Sequence, residues 1–360
     1  MQKTIKIRED FRRDGLAFNF LVDDELMLMI AKTFPGSIIQ VGYPAICSEE
    51  RKMCSKILER LKGESVELAL SGHAMKQHLE IIGELLIPYP KATANIWIPI
   101  SDYFIARTLK CSAQEVLDHA LKLFNYWHKN YPTNQIDVAL VDSTEKEEHL
   151  EKRIAYFSKE LHDAGARSVV ICDTKGQSNP GSIQNIFSEI RKSDQGRIEF
   201  HPHNDNGKAL ENIKVAIAYD VNVIGTALFN AGERFTMVDP RELIKNEIAL
   251  NFEPEFLIHF ETMYKKRTKI SFSEAKNKIY DHKFITGTQY RLFDRKDEKE
   301  IVFGVTSDTY ILSKMLKIEE EIDSHILQNL KDSLYEQKML FYSNHKLREM
   351  WNKTIQSYEY

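Results

Sequence analysis

The stretch RIEFHPHNDNGKAL, residues 197–210, shows the unit from which most of the chain is built. A run of alternating apolar residues leads into a cluster of two histidines, two asparagines and an aspartate. Alternation with a period of two predicts a β-strand, and the polar cluster follows directly on that strand. What the cluster does depends on which other side chains the fold brings to it.

Short β-rich runs of this kind recur eight times, and amphipathic stretches separate most of them. In residues 112–130 and 145–165, for example, apolar residues recur at spacings of three and four, which predicts helices. Eight strand and helix pairs in about 250 residues favour a parallel (β/α)8 TIM barrel over an open doubly wound sheet. The predicted strands are TIKI (4–7), SIIQVG (37–42), VELAL (66–70), ANIWIPI (94–100), IDVALV (136–141), SVVICD (168–173), RIEFHPH (197–203) and VNVIGTAL (221–228).

The pattern changes near residue 250 to mixed helix and short strand, with a charged bend at RKDEKE (295–300). We therefore predict a barrel domain over residues 1–255. A smaller α+β region would follow over residues 256–360, ending in a helical tail from about Ile318.

Polar clusters follow six of the predicted strands, which is where a parallel barrel places its active site. All six clusters would lie at one end of the barrel, the mouth formed by the carboxyl ends of the strands. They are RRDG (12–15), QVGYPA (40–45), SDYF (101–104), DSTE (142–145), CDTKG (172–176) and HPHND (201–205).

Charge and composition exclude several classes of partner. The chain has 49 basic and 53 acidic residues, so a net charge of −4 gives no electrostatic reason to expect a nucleic acid or an anionic membrane. No apolar run is long enough to span a bilayer, and the first residues lack a signal peptide's apolar segment. Four scattered cysteines fit free thiols in a reducing compartment. We expect a cytoplasmic protein with a small-molecule ligand.

His201 and His203 are two residues apart on one strand, so both imidazoles can face the mouth and hold one metal ion. Such a pair can equally consist of hydrogen-bonded surface groups, so a third ligand decides between the two interpretations. Asp14, after the first strand, is the candidate for that ligand. Asn204 and Asp205 would then orient the imidazoles.

The ligand types allow Mg²⁺, Mn²⁺ or Zn²⁺ and leave positions open for substrate oxygens. Arg13, beside Asp14, would stabilise a developing enolate or alkoxide oxygen. The alternative for Arg13 is a surface arginine in a basic run, which suits Arg8 and Arg12 better.

Six motifs, taken in their order and spacing, resemble one family of metal-dependent Claisen-condensing and lyase enzymes. The family includes isopropylmalate synthase, homocitrate synthase and hydroxymethylglutaryl-CoA lyase, and the resemblance covers nearly the whole chain. The motifs are RRDG, IIQVGYPA, SDYFIARTLKCSAQEVLDHA, ICDTKGQSNP, FHPHNDNG and GTALFNAGER.

The resemblance implies a (β/α)8 barrel with a C-terminal appendage, often paired as a homodimer, and acetyl-CoA as the co-substrate. It places the metal ligands at Asp14, His201 and His203 and the oxyanion-stabilising arginine at Arg13. It places Thr174 on the threonine that binds a 2-oxo acid carboxylate.

The chain departs from the family pattern at several positions around this core. Gln40, which we predict to bind substrate, occupies the position of a glutamate in the family. Ala17 replaces a glutamine, and Phe104 replaces a histidine. Met237 stands about where an asparagine often completes the metal shell, and thioethers are poor ligands for such ions. Between Asp281 and Tyr290 a segment that carries paired histidines in the synthases is shortened, leaving His282.

The catalytic base is the least defined group. Glu145 is the candidate, although acidic residues are also favoured at a helix start by the helix dipole. The sequence therefore predicts an acyltransferase that condenses an acyl-CoA with a 2-oxo acid. A metal-dependent aldolase or lyase on the same scaffold, and a catalytically impaired homologue with a binding or regulatory role, remain as alternatives.

Overall fold

A computed structural model describes most of the chain. The described residues are 4–16, 22–221, 223–232, 234–269, 271–274, 303–318, 322–336 and 344–356. Ala17 and the segment 281–290 with His282 lie outside them. In the part of the chain that the structure describes, no helix has both the length and the apolar character needed to cross a bilayer.

Eight parallel strands close into a barrel in sequence order, with β1 pairing with both β2 and β8. This confirms the predicted (β/α)8 fold. Most predicted strand ends differ from the observed ones by one to three residues. The strands are β1 (Lys6–Glu9), β2 (Ile38–Gly42), β3 (Glu67–His73), β4 (Thr93–Pro99), β5 (Gln135–Val141), β6 (Ser168–Asp173), β7 (Ile198–Pro202) and β8 (Val223–Thr226).

Helices lie outside the barrel, and the outward-facing strand side chains, such as Ile39, Ile96 and Val138, pack with them in one core. Helix starts are fixed locally, as at Ser112, whose hydroxyl and Glu115 form a capping box. The helices are α1 (Phe11–Gly15), α2 (Asp24–Thr33), α3 (Ser48–Arg60), α4 (Lys76–Leu86), α5 (Asp102–Thr108), α6 (Ala113–Asn130), α7 (Leu150–Asp163), α8 (Pro180–Ser193), α9 (Ala209–Ala218), α10 (Pro240–Lys245), α11 (Phe260–Thr268), α12 (Thr309–Leu316), α13 (Ser324–Glu336) and α14 (Asn344–Gln356).

The RRDG segment, residues 12–15, is helical and lies within α1. Arg13 and Asp14 therefore lie in α1, directly after β1. The backbone N–H of Asp14 donates to the carbonyl of Asp10 at 2.8 Å, so a single helical turn carries Arg13 and Asp14 over the barrel mouth.

Inside the barrel, the buried guanidinium of Arg8 links four strands. From β1 it donates to Glu199 on β7 at 2.7 Å, to Gln40 on β2 at 3.0 Å and to Asp137 on β5. All four side chains are almost completely buried. Because a buried charge is tolerated only when it is paired, this network fixes which strand residues face inward.

Beyond residue 255, the described residues form helices and no strand, so the α+β character expected there is not found among them. Phe260 and Tyr264 of α11 belong to the barrel core. Residues of α12 to α14 form a second core with Leu16, Ile46 and Cys47, which follow β1 and β2. The C-terminal helices therefore pack against the mouth side of the barrel. The division at residue 255 stays a prediction.

Replacing Arg8 with methionine is expected to destabilise the fold by about 2–3 kcal/mol, because Glu199 and Asp137 each lose a buried charge-assisted hydrogen bond, although Arg197 and Arg167 still partly offset their charges. Urea unfolding followed by circular dichroism measures this loss. The matched control is Lys6→Met on the same strand, whose ion pair with Glu67 is about one-third exposed and should cost no more than about 1 kcal/mol. Equal effects of the two substitutions would contradict the structural role of the Arg8 network.

Candidate active site

The side chain of Asp14 is held at the mouth by the loop that follows β8. The hydroxyl of Thr236 donates to Asp14 Oδ2 at 2.6 Å, and the Arg13 guanidinium lies 3.3 Å from Oδ1. Gly232 passes so close that a Cβ there would lie 2.0 Å from Asp14 Oδ2. Only glycine allows this approach, so the loop and the carboxylate are built around each other.

The same loop is conformationally strained. Phe229, Asn230, Arg234 and Thr236 all have positive φ angles, and Thr236 has a φ of 39°. A β-branched residue is a true outlier in this region, and such strain persists only where the surrounding contacts impose it. Here the strain places Arg234 and Thr236 over the ends of β1 and β7.

The two histidines of β7 face the mouth together. Their ring centroids are 5.4 Å apart, and His203 is buried while His201 is partly accessible. Arg234 Nη2 lies 3.1 Å from His203 Nδ1. Since a guanidinium can only donate, this nitrogen accepts and the His203 ring is neutral. Burial and then Arg234 and His201 hold the pKa of His203 well below its usual value.

The residues predicted to orient the imidazoles act differently from each other. Asp205 accepts from Arg234 Nε at 2.8 Å and so fixes the guanidinium that contacts His203. The Asn204 side chain accepts from the backbone N–H of Ala209 at 3.0 Å, which ties down the start of α9. Asp205 therefore supports His203 through Arg234, and Asn204 holds the loop.

Asp10, which the sequence did not single out, lies beside His201. Its Oδ2 is 3.4 Å from His201 Nδ1, is buried, and has no hydrogen-bond donor. Asp10 is two residues beyond Arg8, so it faces the same interior one layer higher. A buried carboxylate oxygen without a donor is rare and indicates a site made for a cation or a proton.

By chemical type, the donors at this mouth suit a divalent ion. Asp14, Asp10, His201 and His203 supply carboxylate oxygens and imidazole nitrogens, the ligands expected for Mg²⁺, Mn²⁺ or Zn²⁺. Among the residues that the structure describes, no three His, Cys, Asp or Glu side chains converge closely enough to enclose an ion. Asp14 and His203 are instead held by Thr236 and Arg234. The unsatisfied Asp10 oxygen is the observation that supports the fit.

Two departures from the family pattern lie in this region. Met237 is fully buried and forms an antiparallel bridge with His203, so its thioether fills space beside the histidines. Phe104 is buried in α5 and packs in place of a polar side chain.

Gln40 does not reach Arg13. Its amide lies lower in the barrel, where it accepts from Arg8 and donates to Ser71. The Arg13 guanidinium instead lies 5.0 Å from the centroid of the Trp97 ring and is about one-quarter exposed. Arg13 can therefore contact a ligand at the mouth, whereas Gln40 lies deeper in the barrel, in the layer of Arg8.

Thr174, after β6, lies at the mouth beside Asp142. The backbone N–H of Asp142 donates to Thr174 Oγ1 at 2.8 Å. The Asp142 carboxylate accepts from Ser101 at 2.6 Å, and its other oxygen, Oδ1, has no hydrogen bond and is 3.8 Å from Lys175 Nζ. Burial raises the pKa of Asp142 to about 6, only partly offset by Ser101 and Lys175.

The predicted base, Glu145, forms an ion pair with Lys175. Burial would raise its pKa, but the hydrogen bonds and positive charges of Lys175 and Lys146 together outweigh burial and lower it. A general base near neutral pH needs a raised pKa and an available oxygen. Asp142 satisfies both conditions better than Glu145. The signal was present in the sequence, because Asp142 is the first residue after β5.

The chain is similar to proteins of one known family. A family model described as HMGL-like matches residues 30–256, a range that includes Asp142, Thr174 and both histidines but begins after Asp14. The chain is 28% identical over 245 residues to a 2-isopropylmalate synthase of Pseudoalteromonas atlantica, covering 65% of this chain and 45% of that protein. It is 25% identical over 331 residues to 2-isopropylmalate synthase 1 of Caldanaerobacter subterraneus, covering 86% and 81%.

A homocitrate synthase of Saccharolobus islandicus is 26% identical over 250 residues, covering 68% of this chain and 52% of that protein. The chain thus spans about half the length of two of these three relatives. Among solved structures, hydroxymethylglutaryl-CoA lyase of Pseudomonas aeruginosa superimposes with a TM-score of 0.61 at 17% identity, covering 75% of this chain and 95% of the lyase. The carboxyl transferase domain of Rhizobium etli pyruvate carboxylase gives 0.55 at 12% identity, covering 92% of this chain and 53% of that one. These likenesses show the fold.

We expect the purified chain to bind one divalent ion and His201→Ala to lower the affinity by more than about 100-fold, because an imidazole donor is lost. Isothermal titration with Mn²⁺ measures both. His345→Ala is the control, since that side chain is 85% exposed on α14. Equal Mn²⁺ affinity in wild type and His201→Ala would contradict the assignment.

Thr236→Val keeps the branched shape but removes the hydroxyl that holds Asp14. We expect it to weaken Mn²⁺ binding by about 10–100-fold, the usual effect of losing a group that orients a ligand. The same titration applies, with the melting temperature as a check on folding. Unchanged affinity would mean that Asp14 is not a ligand or needs no support.

Proposed function

This chain belongs to the HMGL-like family, and on that premise we propose that it is a divalent-metal-dependent acyltransferase that condenses an acyl-CoA with a 2-oxo acid. The observation that carries the proposal is the shared position of six side chains at one barrel mouth. They are Arg13, Asp14, Asp142, Thr174, His201 and His203. Members of this family are enzymes, and both synthases and lyases occur among the similar proteins.

In this proposal, Asp14, His201 and His203 hold the ion, with Asp10 beside His201. When bound, the ion would supply a Lewis acid that polarises the keto group of the 2-oxo acid. Arg13 faces the same cleft and donates to the oxygen that becomes negatively charged as the carbon-carbon bond forms. Its position over Trp97 fixes the direction of the guanidinium in advance.

Thr174 binds the substrate carboxylate, and Asp142 accepts the proton. The Thr174 hydroxyl accepts from the backbone of Asp142, so its own hydrogen is directed away from that bond and can be donated to a carboxylate. Asp142 accepts the proton from the carbon next to the thioester carbonyl of the acyl-CoA. The resulting carbanion attacks the keto carbon, and the former keto oxygen takes up the proton that Asp142 holds. Water then hydrolyses the thioester, which releases CoA as the free thiol.

We propose that the reaction runs in the direction of condensation. Curated relatives at 25–28% identity are synthases, and one of them aligns over 331 residues, into the C-terminal helices. This supports condensation. A lyase would use the same base and the same oxyanion group in reverse, because catalysis acts equally on both directions. The homodimer expected from the resemblance stays a prediction.

We expect the metal-loaded chain to release CoA from acetyl-CoA only in the presence of a 2-oxo acid. A thiol-specific dye, read against a panel of 2-oxo acids of different length and charge, measures this release. Arg13→Lys should lower kcat more than it raises KM, since the lost interaction is strongest in the transition state.

If no acid in the panel supports CoA release, the condensation proposal fails. Cleavage of the corresponding hydroxy acid or acyl-CoA product, assayed with the same protein, would then identify a lyase. Metal binding without either reaction would indicate a homologue with a binding or regulatory role.

The pH dependence tests the base. Asp142 must be ionised to accept a proton, and its pKa is raised to about 6, so kcat/KM should fall as the pH drops below about 6. Asp142→Asn is expected to lower kcat by about 10²–10⁴-fold. Glu145→Gln should have a much smaller effect. The opposite order of the two variants would assign the base to Glu145.

A further inference from the structure

Asp10 has a buried carboxylate oxygen that the surrounding protein does not satisfy. The residue is 2% exposed, and in the part of the chain that the structure describes no donor reaches Oδ2. Arg8, two residues earlier on the same side of the chain, already donates to Glu199, Gln40 and Asp137. Burial of a carboxylate is unfavourable unless a positive group offsets its charge. Asp10 therefore has the character of a cation ligand.

The direction of the Asp10 side chain points to the same role. Asp10 directly precedes α1, a position where an aspartate usually accepts a hydrogen bond from a backbone N–H of the first helical turn. Its side chain makes no such bond. Oδ2 lies instead 3.4 Å from His201 Nδ1 on β7. The carboxylate thus faces a candidate metal ligand and does not cap its own helix.

The backbone holds Asp10 beside a second carboxylate. The N–H of Asp14 donates to the Asp10 carbonyl at 2.8 Å, so the two residues are one helical turn apart. Side chains at this spacing are neighbours. The N–H of Asp10 donates to the carbonyl of Thr226 at 2.9 Å, which ties this turn to the end of β8. Both carboxylates therefore lie on a rigid support at the barrel mouth.

The separation of Asp10 Oδ2 and His201 Nδ1 suits two ligands of one ion. At 3.4 Å the two atoms are farther apart than in an ordinary N–H···O hydrogen bond, and no hydrogen bond joins them. Two donor atoms that are each roughly 2.0–2.2 Å from one ion lie roughly 2.8–3.6 Å apart when they are adjacent in a tetrahedral or octahedral shell. This pair can therefore bind one ion with little movement.

Met237 borders the same space and cannot supply an oxygen there. A Cβ on Gly225 of β8 would lie 3.0 Å from His201 Nδ1 and 3.1 Å from Met237 Sδ, so the sulfur and the ring nitrogen both adjoin this point. A thioether is a poor ligand for Mg²⁺, Mn²⁺ or Zn²⁺. Of the side chains next to His201 Nδ1, Asp10 is the one suited to such an ion.

We propose that Asp10 is a fourth protein ligand of the divalent ion and binds it together with His201. This inference rests on the proposed function, because it concerns the same ion. With Asp14 and His203, the ligands would be two carboxylates and two imidazoles, whose charge offsets that of a divalent cation. The affinity of a site for such an ion rises with the number of charged ligands.

Isothermal titration of the full chain with Mn²⁺ tests the proposal with two substitutions. Asp10→Leu keeps the size of the side chain but cannot bind an ion, whereas Asp10→Asn keeps one carbonyl oxygen. We expect Asp10→Leu to weaken Mn²⁺ binding by about 100-fold or more and Asp10→Asn to weaken it less. Adding Met237→Asn to Asp10→Leu should recover about tenfold, because an amide oxygen then borders the same space.

Asp24→Leu is the matched control. The Asp24 carboxylate on α2 is also largely buried and also has an oxygen without a hydrogen bond, but it forms an ion pair with the exposed Lys56. This variant should bind Mn²⁺ as wild type does. Equal Mn²⁺ affinity in wild type and Asp10→Leu would overturn the proposal.

The melting temperature separates a metal ligand from a residue that only supports the fold. Without metal, Asp10→Leu should melt at the same temperature as wild type or higher, since an unpaired buried charge is lost. A fixed excess of Mn²⁺ should raise the melting temperature of wild type more than that of the variant. A lower melting temperature without metal, together with an equal rise on adding Mn²⁺, would assign Asp10 a structural role and overturn the proposal.

A crystal structure with Mn²⁺ separates direct binding from support of His201. The proposal predicts an Asp10 oxygen roughly 2.0–2.3 Å from the ion. A water in that position, with Asp10 accepting from His201 Nδ1, would make Asp10 a positioning residue and overturn the proposal.

Other outcomes distinguish this inference from the proposed function. Mn²⁺ binding that depends on Asp10, without CoA release from any 2-oxo acid, supports the inference and counts against condensation. CoA release with Mn²⁺ binding that is unchanged in Asp10→Leu overturns the inference and leaves condensation standing.

Discussion

The buried guanidinium of Arg8 sets the register on which the rest of the molecule depends. It holds Glu199, Gln40 and Asp137 from three other strands inside the barrel. Since strand side chains alternate, a residue two positions further along faces the same way. Arg8 therefore directs Asp10 inward, and Glu199 directs His201 and then His203 inward. The ion network and the candidate site are successive layers of one interior.

Side chains from a loop and from helices complete the layer of the candidate site at the barrel mouth. The strained loop after β8 brings Thr236 to Asp14 and Arg234 to His203, and α1 brings Arg13 over the mouth. The positive φ angles of the loop after β8 are unfavourable, so the contacts of Thr236 and Arg234 have to stabilise this loop conformation. The C-terminal helices pack on the β1 and β2 side, where the Tyr335 hydroxyl donates to Glu50 and accepts from Arg12. A polar site with several buried charges thus sits on a rigid barrel.

The eight strands could be predicted from the sequence because period-two apolar runs and period-three-to-four helices alternate regularly. Strand alternation also brought His201 and His203 to one face. The substrate-binding role of Gln40 stays a prediction, and its bonds to Arg8 and Ser71 could not be predicted because sequence position gives no height within a barrel. Asp10 was missed because its partner, His201, is remote in sequence. Arg234 and Thr236 were missed because their positions depend on the backbone conformation of the loop after β8, which no local pattern encodes.

The central claim is that the mouth of this barrel is a divalent-metal site that serves chemistry on a 2-oxo acid. A crystal of the chain grown with Mn²⁺ tests it most directly, through anomalous scattering measured at the manganese absorption edge. The account predicts one strong peak at roughly 2.0–2.3 Å from a carboxylate oxygen of Asp14 and from ring nitrogens of His201 and His203. No peak at the mouth, or a peak bound by other residues, would contradict it.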